Sequence, residues 1–184
     1  MPFATWWRGD PLPALSPLPT FSAQPARDVH LIARLTECSL QSIEARLEAD
    51  HHPYIAYLDG EAVACGWVAK QRGGIAEFQF SFAIPSGNAY LWDFLTLAQW
   101  RGRGVYPHLL QSIIEQEEGI DYFWIGYEPG NEASAHGIRK AGFHEVSDLV
   151  IADGDRIEGL TLFEESERAQ ASVVFFNLPV VRGM

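Results

Sequence analysis

Trp92-Asp93-Phe94-Leu95-Thr96-Leu97-Ala98-Gln99-Trp100-Arg101-Gly102-Arg103-Gly104-Val105-Tyr106 is the stretch that decides how this chain is read. It belongs first to an apolar run from Tyr90 to Leu97, broken only by Asp93 and Thr96, which predicts a strand in the middle of a sheet. It ends in a helical pattern, with apolar residues at Val105, Leu109, Leu110, Ile113 and Ile114 and a stop at Gly119. Between the two, Gly102 and Gly104 relieve Cβ crowding and let successive backbone N–H groups turn into one concavity. The helix that follows adds its unpaired N–H groups and the positive end of its dipole. That geometry binds phosphate. Arg101 and Arg103 add positive charge at the same place. No Gly-Lys-Ser/Thr follows the glycines, so a Walker loop is excluded, and Pro107 stands where a dinucleotide fingerprint needs a small residue.

Working outward, Ile120 to Tyr127 is strand-like, which makes a strand-helix-strand unit. After Glu128-Pro129-Gly130, Asn131 is a good N-cap, Glu132 suits the positive end of a helix dipole, and Gly142 suits the left-handed position after a short helix. Upstream, the apolar spacing from Asp28 to Leu47 predicts two short helices with Ser39 as a cap between them. Pro53 to Leu58, Asp59-Gly60 and Ala62 to Lys70 read as strand, hairpin turn and strand. A turn at Arg72-Gly73-Gly74 precedes a strand from Ile75 to Ile84, where Phe78, Phe80 and Phe82 alternate with polar residues. Pro85 to Asn88 turns the chain again. Phe143 to Ile151, Ile157 to Phe163 and Ser172 to Leu178 read as strands around the turn Asp153-Gly154-Asp155. The first twenty residues carry prolines at 2, 11, 13, 17 and 19, which argue against helix and central strand. They are expected to form an arm over 1–20 whose Trp6 and Trp7 pack on the domain or on a second copy, leaving 21–184 as one domain. Helices first, then hairpin strands, then one strand-helix-strand-helix-strand unit is a mixed α/β layout around one central sheet.

The 184 residues are one domain's worth, and 47% apolar with 20% charged residues is ordinary globular composition. Against 24 acidic residues there are 13 basic ones, a formal charge of -11, which repels nucleic acid and anionic lipid at long range. The same balance favours a cationic partner over an anionic one. Of the two cysteines, Cys65 sits in the apolar run Val63 to Val68 and reads as a buried thiol, which fits a reducing compartment. No stretch has the length of a membrane span or the pattern of a secretory leader, so the cytoplasm is the expected location.

Two blocks carry a family resemblance. Arg101-Gly102-Arg103-Gly104-Val105 resembles the coenzyme A loop, Gln/Arg-x-x-Gly-x-Gly/Ala, of the GNAT (GCN5-related) N-acetyltransferases. Asn131-x-x-Ser134, followed by Lys140-x-Gly142-Phe143, is similar to that family's later block. The resemblance spans about residues 21 to 163 and implies a central, mostly antiparallel sheet with a splayed parallel strand pair, flanked by helices. It also implies acetyl-CoA as cosubstrate. The pyrophosphate is then expected on the backbone of Arg101, Gly102, Arg103, Gly104, Val105 and Tyr106, the pantetheine beside Leu95, Thr96 and Leu97, and Asn131 near its thiol end. An amine would attack the thioester directly, with a backbone N–H near Leu95 to Leu97 stabilising the oxyanion and a base removing the amine proton. Two residues depart from the family's pattern. Tyr106 replaces a small residue at the end of the loop, with Pro107 removing one N–H donor, and Ile138 stands where many members carry a Tyr that protonates the thiolate.

Asp93 is the residue chosen as catalytic, because a carboxylate among Leu91, Trp92, Phe94 and Leu95 is costly unless paired or solvated by a cleft. The plain alternative is an Asp satisfied by backbone or by an Arg. Glu77 reads as a solvent-face residue, Glu128 as a solvated loop carboxylate, and His136 as a weak candidate acid or base. His51 and His52 point apart on an extended chain, so no metal is expected. The reading is an N-acetyltransferase acting on a primary amine of a small molecule or peptide. Its alternatives are transfer of another acyl group or to a hydroxyl, and a non-catalytic acyl-CoA-binding module. A homodimer through the terminal strands or the tryptophans is compatible with it.

Overall fold

The computed structural model describes residues 1–152 and 156–181. Along the chain come β1 (Pro2–Trp7), β2 (Ser22–Pro25), α1 (Val29–Thr36), α2 (Leu40–Glu48), β3 (His51–Leu58), β4 (Glu61–Ala69), β5 (Arg72–Ile75), β6 (Phe80–Ala83) and β7 (Asn88–Thr96). Then follow α3 (Val105–Gln116), β8 (Tyr122–Gly126), α4 (Glu132–Ala141), β9 (His144–Ala152), β10 (Arg156–Leu162) and α5 (Glu167–Phe176). Eight strands form one sheet in the order β10-β9-β1-β8-β7-β4-β3-β2, with β5 and β6 paired as a separate hairpin. Within the large sheet β7 and β8 run parallel and the other neighbours antiparallel. This is the mixed α/β sheet with one parallel pair that the resemblance implies.

Local chemistry explains most element boundaries. Asp28 caps α1 by accepting from the N–H groups of His30 and Leu31, and Ser39 caps α2 by accepting from Ser42. Asp59 and Gly60 both take positive φ, 51° and 81°, as a two-residue turn between β3 and β4 requires. Asn131 caps α4, and Gly142 closes it in the left-handed conformation. Three buried clusters hold the helices to the sheet, one of them joining Ile32, Leu35 and Ile43 of α1 and α2 to Ile55, Cys65 and Trp67. Ala56, Leu91 and Ile125 pack with Leu109, Leu110, Ile113 and Ile138 of α3 and α4. Phe3, Tyr90 and Trp124 pack on the other face with Phe175 and Phe176 of α5, where Trp124 stacks on Phe175 at 4.6 Å.

Three expectations are corrected. Pro2–Trp7 is no arm: it is a strand inserted between β8 and β9, with Trp6 buried. Pro2 occupies only the first position, where a missing N–H costs no ladder bond, and the run from Phe3 to Trp7 has no proline. The later prolines do stay outside helix and strand, and Pro13 packs against Gly142 at the end of α4. Second, the period-two run from Ile75 is interrupted by a 3-10 turn at Ala76–Phe78, so Arg72 to Ala83 folds into the β5–β6 hairpin instead of one strand. Third, Ser172 to Leu178 is helical up to Phe176. Ser166 caps α5, and Ala169, Ser172, Phe175 and Phe176 recur on its buried side, a helical spacing that overrides the β-propensity of Val-Val-Phe-Phe. The turn Asp153-Gly154-Asp155 lies outside the described residues.

A bulge breaks the β4–β7 ladder. Cys65 faces Leu95 and Trp67 faces Trp92, so Gly66 alone opposes both Asp93 and Phe94. Asp93 takes φ 51°, rare for a residue with a side chain. The Phe94 ring lies across Gly66, where a Cβ would come within 2.1 Å of it. Gly66→Ala is therefore expected to lower stability by about 1–3 kcal/mol and the melting midpoint by roughly 3–10 °C. Phe94→Ala in the same chain should recover part of that loss, and additive losses in a double-mutant cycle would refute the contact.

Candidate active site

The parallel ladder of β7 and β8 runs only from Asn88↔Tyr122 to Leu91↔Ile125. Beyond it the strands part, because each is held by its other neighbour. β7 stays paired with β4 as far as Thr96, whereas β8 stays with β1 through Phe3↔Gly126. The gap opens into a cleft of about 1120 Å³, lined by residues from both faces of the sheet.

On the α3–α4 face the cleft is lined by Arg101, Gly102 and Gly104, with Val105 and Tyr106 behind them. Gly102 and Gly104 take φ 75° and 84°, and Gly104 starts α3 with no side chain capping the helix. The first-turn N–H groups are thus left for an anion, less the one that Pro107 lacks. The His108 ring donates from Nδ1 to the Gly104 carbonyl at 2.7 Å, which fixes the loop at its entry to the helix. Arg101 donates from Nε to the Thr96 carbonyl at 3.0 Å, tying the loop to the end of β7. Leu97 donates its N–H to Val63 at 3.0 Å, so alternation along the strand turns the backbone of Thr96 away from β4, toward the gap.

Tyr106 fills the place of the expected small residue without blocking the helix. Its ring lies against Phe94, 5.4 Å between centroids, and over Gly137 of α4, where a Cβ would come within 2.5 Å of it. Its hydroxyl is 3.5 Å from Ser134 Oγ, and burial pushes the phenol up to about 12, so it is protonated at neutral pH. Asn131 Oδ1 accepts from Ser134 N–H at 3.0 Å, and the residue lines the cleft at the start of α4. Ile138 is fully buried and packs in the core, away from the cleft.

The other face carries a different set of groups. Asp93 lines the cleft, and its Oδ2 accepts from Arg46 at 2.5 Å. The Arg46 guanidinium lies 4.6 Å from the Trp92 ring centroid and 5.0 Å from that of Trp67. Both readings of Asp93 therefore meet in one residue, a carboxylate at the cleft and one satisfied by an Arg. His51 stands edge-on to Trp92 at 5.2 Å, its Nε2 against the Arg72 carbonyl and its Nδ1 buried without a partner among the described residues. Glu77, expected on a solvent face, lies on the 3-10 turn of the β5–β6 hairpin and lines this end of the cleft.

The structure thus brings together Asp93, Leu95, Thr96, Arg101, Gly102, Gly104, Val105, Tyr106 and Asn131, with Glu77, Glu128 and His136 also on the lining. Leu97 and Arg103 fall outside it: Leu97 packs beside Trp67 and Trp92, and Arg103 lies over Trp100 at 4.8 Å. Sequence reasoning missed Arg46, Phe80, Tyr90 and Lys140 as lining residues. They come from four separate elements, and no local spacing links them. His51 and His52 do point apart, His51 toward Trp92 and His52 toward Asp50. Among the described residues no group of three or more His, Cys, Asp or Glu side chains is placed to hold a metal ion, and no helix is long and apolar enough to cross a membrane.

The family model of the acetyltransferase (GNAT) family matches residues 16–143, and the chain belongs to that family. Solved structures share the fold. A GNAT-family acetyltransferase from Novosphingobium aromaticivorans is 16% identical with a TM-score of 0.52, over 78% of this chain and 59% of its own length. The present chain therefore spans less than two thirds of that protein. Aminoglycoside N-acetyltransferase AAC(6')-Iy, solved with CoA, is 21% identical with a TM-score of 0.55, over 71% of this chain and 97% of its own. RimL, a ribosomal alpha-N-protein acetyltransferase solved with coenzyme A, is 15% identical with a TM-score of 0.53, covering 77% and 89%. A comparison with curated proteins finds no match.

Burial, ahead of the charge of Arg46, holds the His51 imidazole below its ordinary 6.5, against a smaller upward pull from the Arg72 carbonyl. The unfolded chain then takes up the proton first as pH falls. His51 should contribute stability above about pH 6.5 that is lost progressively below it. Thermal melts from pH 8 to pH 5 are expected to show a steeper fall for the wild type than for His51→Gln. Parallel curves would refute the assignment.

Proposed function

We propose that this protein transfers the acetyl group of acetyl-CoA to a primary amine. The observation that carries the reading is the cleft through the parted β7 and β8, with an uncapped helix N-terminus on one face and carboxylates on the other. The pyrophosphate would rest on the N–H groups of Arg101 to Tyr106, with Arg101 and Lys140 as the charges on that side of the lining. The pantetheine would run along Leu95 and Thr96, and Asn131 would meet its thiol end.

The chemistry needs no covalent enzyme intermediate. The acceptor ammonium gives a proton to Asp93, whose Oδ1 is left open by the Arg46 contact at Oδ2. The freed lone pair forms the C–N bond at the thioester carbonyl, and the Thr96 N–H faces the oxyanion. Collapse breaks the C–S bond, and the second proton of the attacking nitrogen passes to the departing thiolate, itself a good leaving group, directly or through water. The products are an amide, coenzyme A thiol and the proton left on Asp93. Cys38 and Cys65 are both free thiols, which supports the cytoplasm as the place of action.

Acetyl-CoA at about a hundred times its dissociation constant adds roughly 2.7 kcal/mol, so the melting midpoint should rise by about 5–10 °C. Arg101→Ala should reduce that rise. Asp93→Asn should keep it while lowering thiol release in the presence of an amine by about tenfold or more. No rise at millimolar acetyl-CoA would refute the cofactor reading, and full turnover in Asp93→Asn would remove that residue from the mechanism.

A further inference from the structure

The acceptor end of the cleft has a composition that its overall charge conceals. Although the chain carries -11, the acceptor end is not plainly acidic: Arg101 and Lys140 belong to the phosphate side, and Arg46 stands with Glu77, Asp93 and Glu128 on the rest of the lining. Asp93 is already paired with Arg46. That pairing leaves Glu77 and Glu128 as the lining carboxylates that no ion pair holds among the described residues. The walls beside Asp93 are instead apolar and flat: Ile75, Phe80, Tyr90 and Trp92. A hydroxyl interrupts these walls: Tyr90 lines the cleft, and its phenol oxygen lies near Gly126 where the strands part. Burial and, after it, the charge of Glu77 push the Tyr90 hydroxyl upward, so it is a donor as well as an acceptor at neutral pH. A polar group set in an apolar wall orients what binds against it.

We infer that the acceptor is an amine carried on a flat, apolar, aromatic body, with Phe80 and Trp92 gripping the body, Tyr90 meeting a polar substituent, and Glu77 drawing in the ammonium. The inference rests on the transferase reading and narrows its substrate class. Glu77 and Asp93 divide the work on the amine. The hairpin carboxylate binds the incoming cation, and the carboxylate at the bulge takes its proton. A long polyamine or an amino sugar brings no apolar body to this wall and would set polar or charged groups against Phe80 and Trp92.

The test is thiol release from acetyl-CoA with four amines: tyramine, 2-phenylethylamine, spermidine and kanamycin. Both aryl amines are expected to exceed spermidine and kanamycin in kcat/KM by about tenfold or more, with tyramine ahead of 2-phenylethylamine. Glu77 is exposed on its turn, so Glu77→Gln should fold normally; it should raise the aryl-amine KM by about tenfold and leave kcat within threefold. Phe80→Ala should raise KM in the same way. Spermidine or kanamycin as the better substrate, an unchanged KM in Glu77→Gln, or no turnover of either aryl amine would each overturn the inference. The acetyl-CoA thermal shift of the same samples separates the two failures. A shift without aryl-amine turnover refutes the acceptor class alone, and no shift refutes the transferase reading beneath it.

Discussion

Two parallel strands that begin hydrogen-bonded and are then pulled apart are the constraint on which the rest of this molecule depends. After Leu91 and Ile125 the backbones of β7 and β8 lose each other as partners. Unpaired backbone in a sheet interior is expensive. The cost is offset because each strand keeps one antiparallel neighbour beyond the fork: β4 on one side, β1 on the other. Without β1 on the outer edge of β8, nothing would hold Gly126 away from β7. The strand formed by Pro2–Trp7 is thus as much a part of the cleft as the loop that lines it.

Glycines let aromatic rings shape the opening. Phe94 lies where a Cβ on Gly66 would be, Tyr106 where one on Gly137 would be, and Phe3 within 2.8 Å of one on Gly126. In each case a bare backbone position on one element receives a ring from another. Tyr106 is informative because its bulk, at the N-terminus of α3, is matched by the missing side chain on α4. A departure in one helix is compensated in the next, and the first turn of α3 keeps its open N–H groups.

The sequence made the strand-loop-helix unit legible because its signals are local: an apolar run, two glycines one residue apart, a cap at Asn131 and a stop at Gly142. Caps at Asp28 and Ser39 and the Asp59-Gly60 turn were readable for the same reason. The strand at Pro2–Trp7 was not, since its partners, Phe123 to Gly126 and His144 to Asp148, lie more than a hundred residues away. Proline at its first position counted against it only because the whole segment was weighed together. α5 was misread for a related reason: β-propensity is a property of neighbouring residues, whereas its helical face is chosen by Trp124 and Phe3 across the core. The aromatic wall beside Asp93 belongs to the same kind of long-range placement. Arg46, Glu77, Phe80 and Trp92 converge only after the α1–α2 pair and the β5–β6 hairpin have docked.

The far end of α3 shows how the glycine loop is held at the near end. Arg8, one residue past β1, donates to the carbonyls of Ile114, Glu117 and Ile120, satisfying acceptors that the helix terminus and the turn after it leave open. Beside it the buried Glu117 carboxylate accepts from Tyr54 at 2.9 Å and pairs with Lys70 at 2.5 Å. Breaking such a buried, hydrogen-bonded charge costs about 3–5 kcal/mol, more than a surface ion pair contributes. A helix presents its N-terminus to a phosphate usefully only if its axis cannot tilt. Here β1 supplies the guanidinium, β3 the phenol, and Lys70, just past β4, the ammonium that together fix the C-terminal end of α3. The same three strands thus hold the helix at the end remote from the cleft and shape the sheet in which β7 and β8 diverge. That coupling makes the glycine loop and the fork in the sheet one construction.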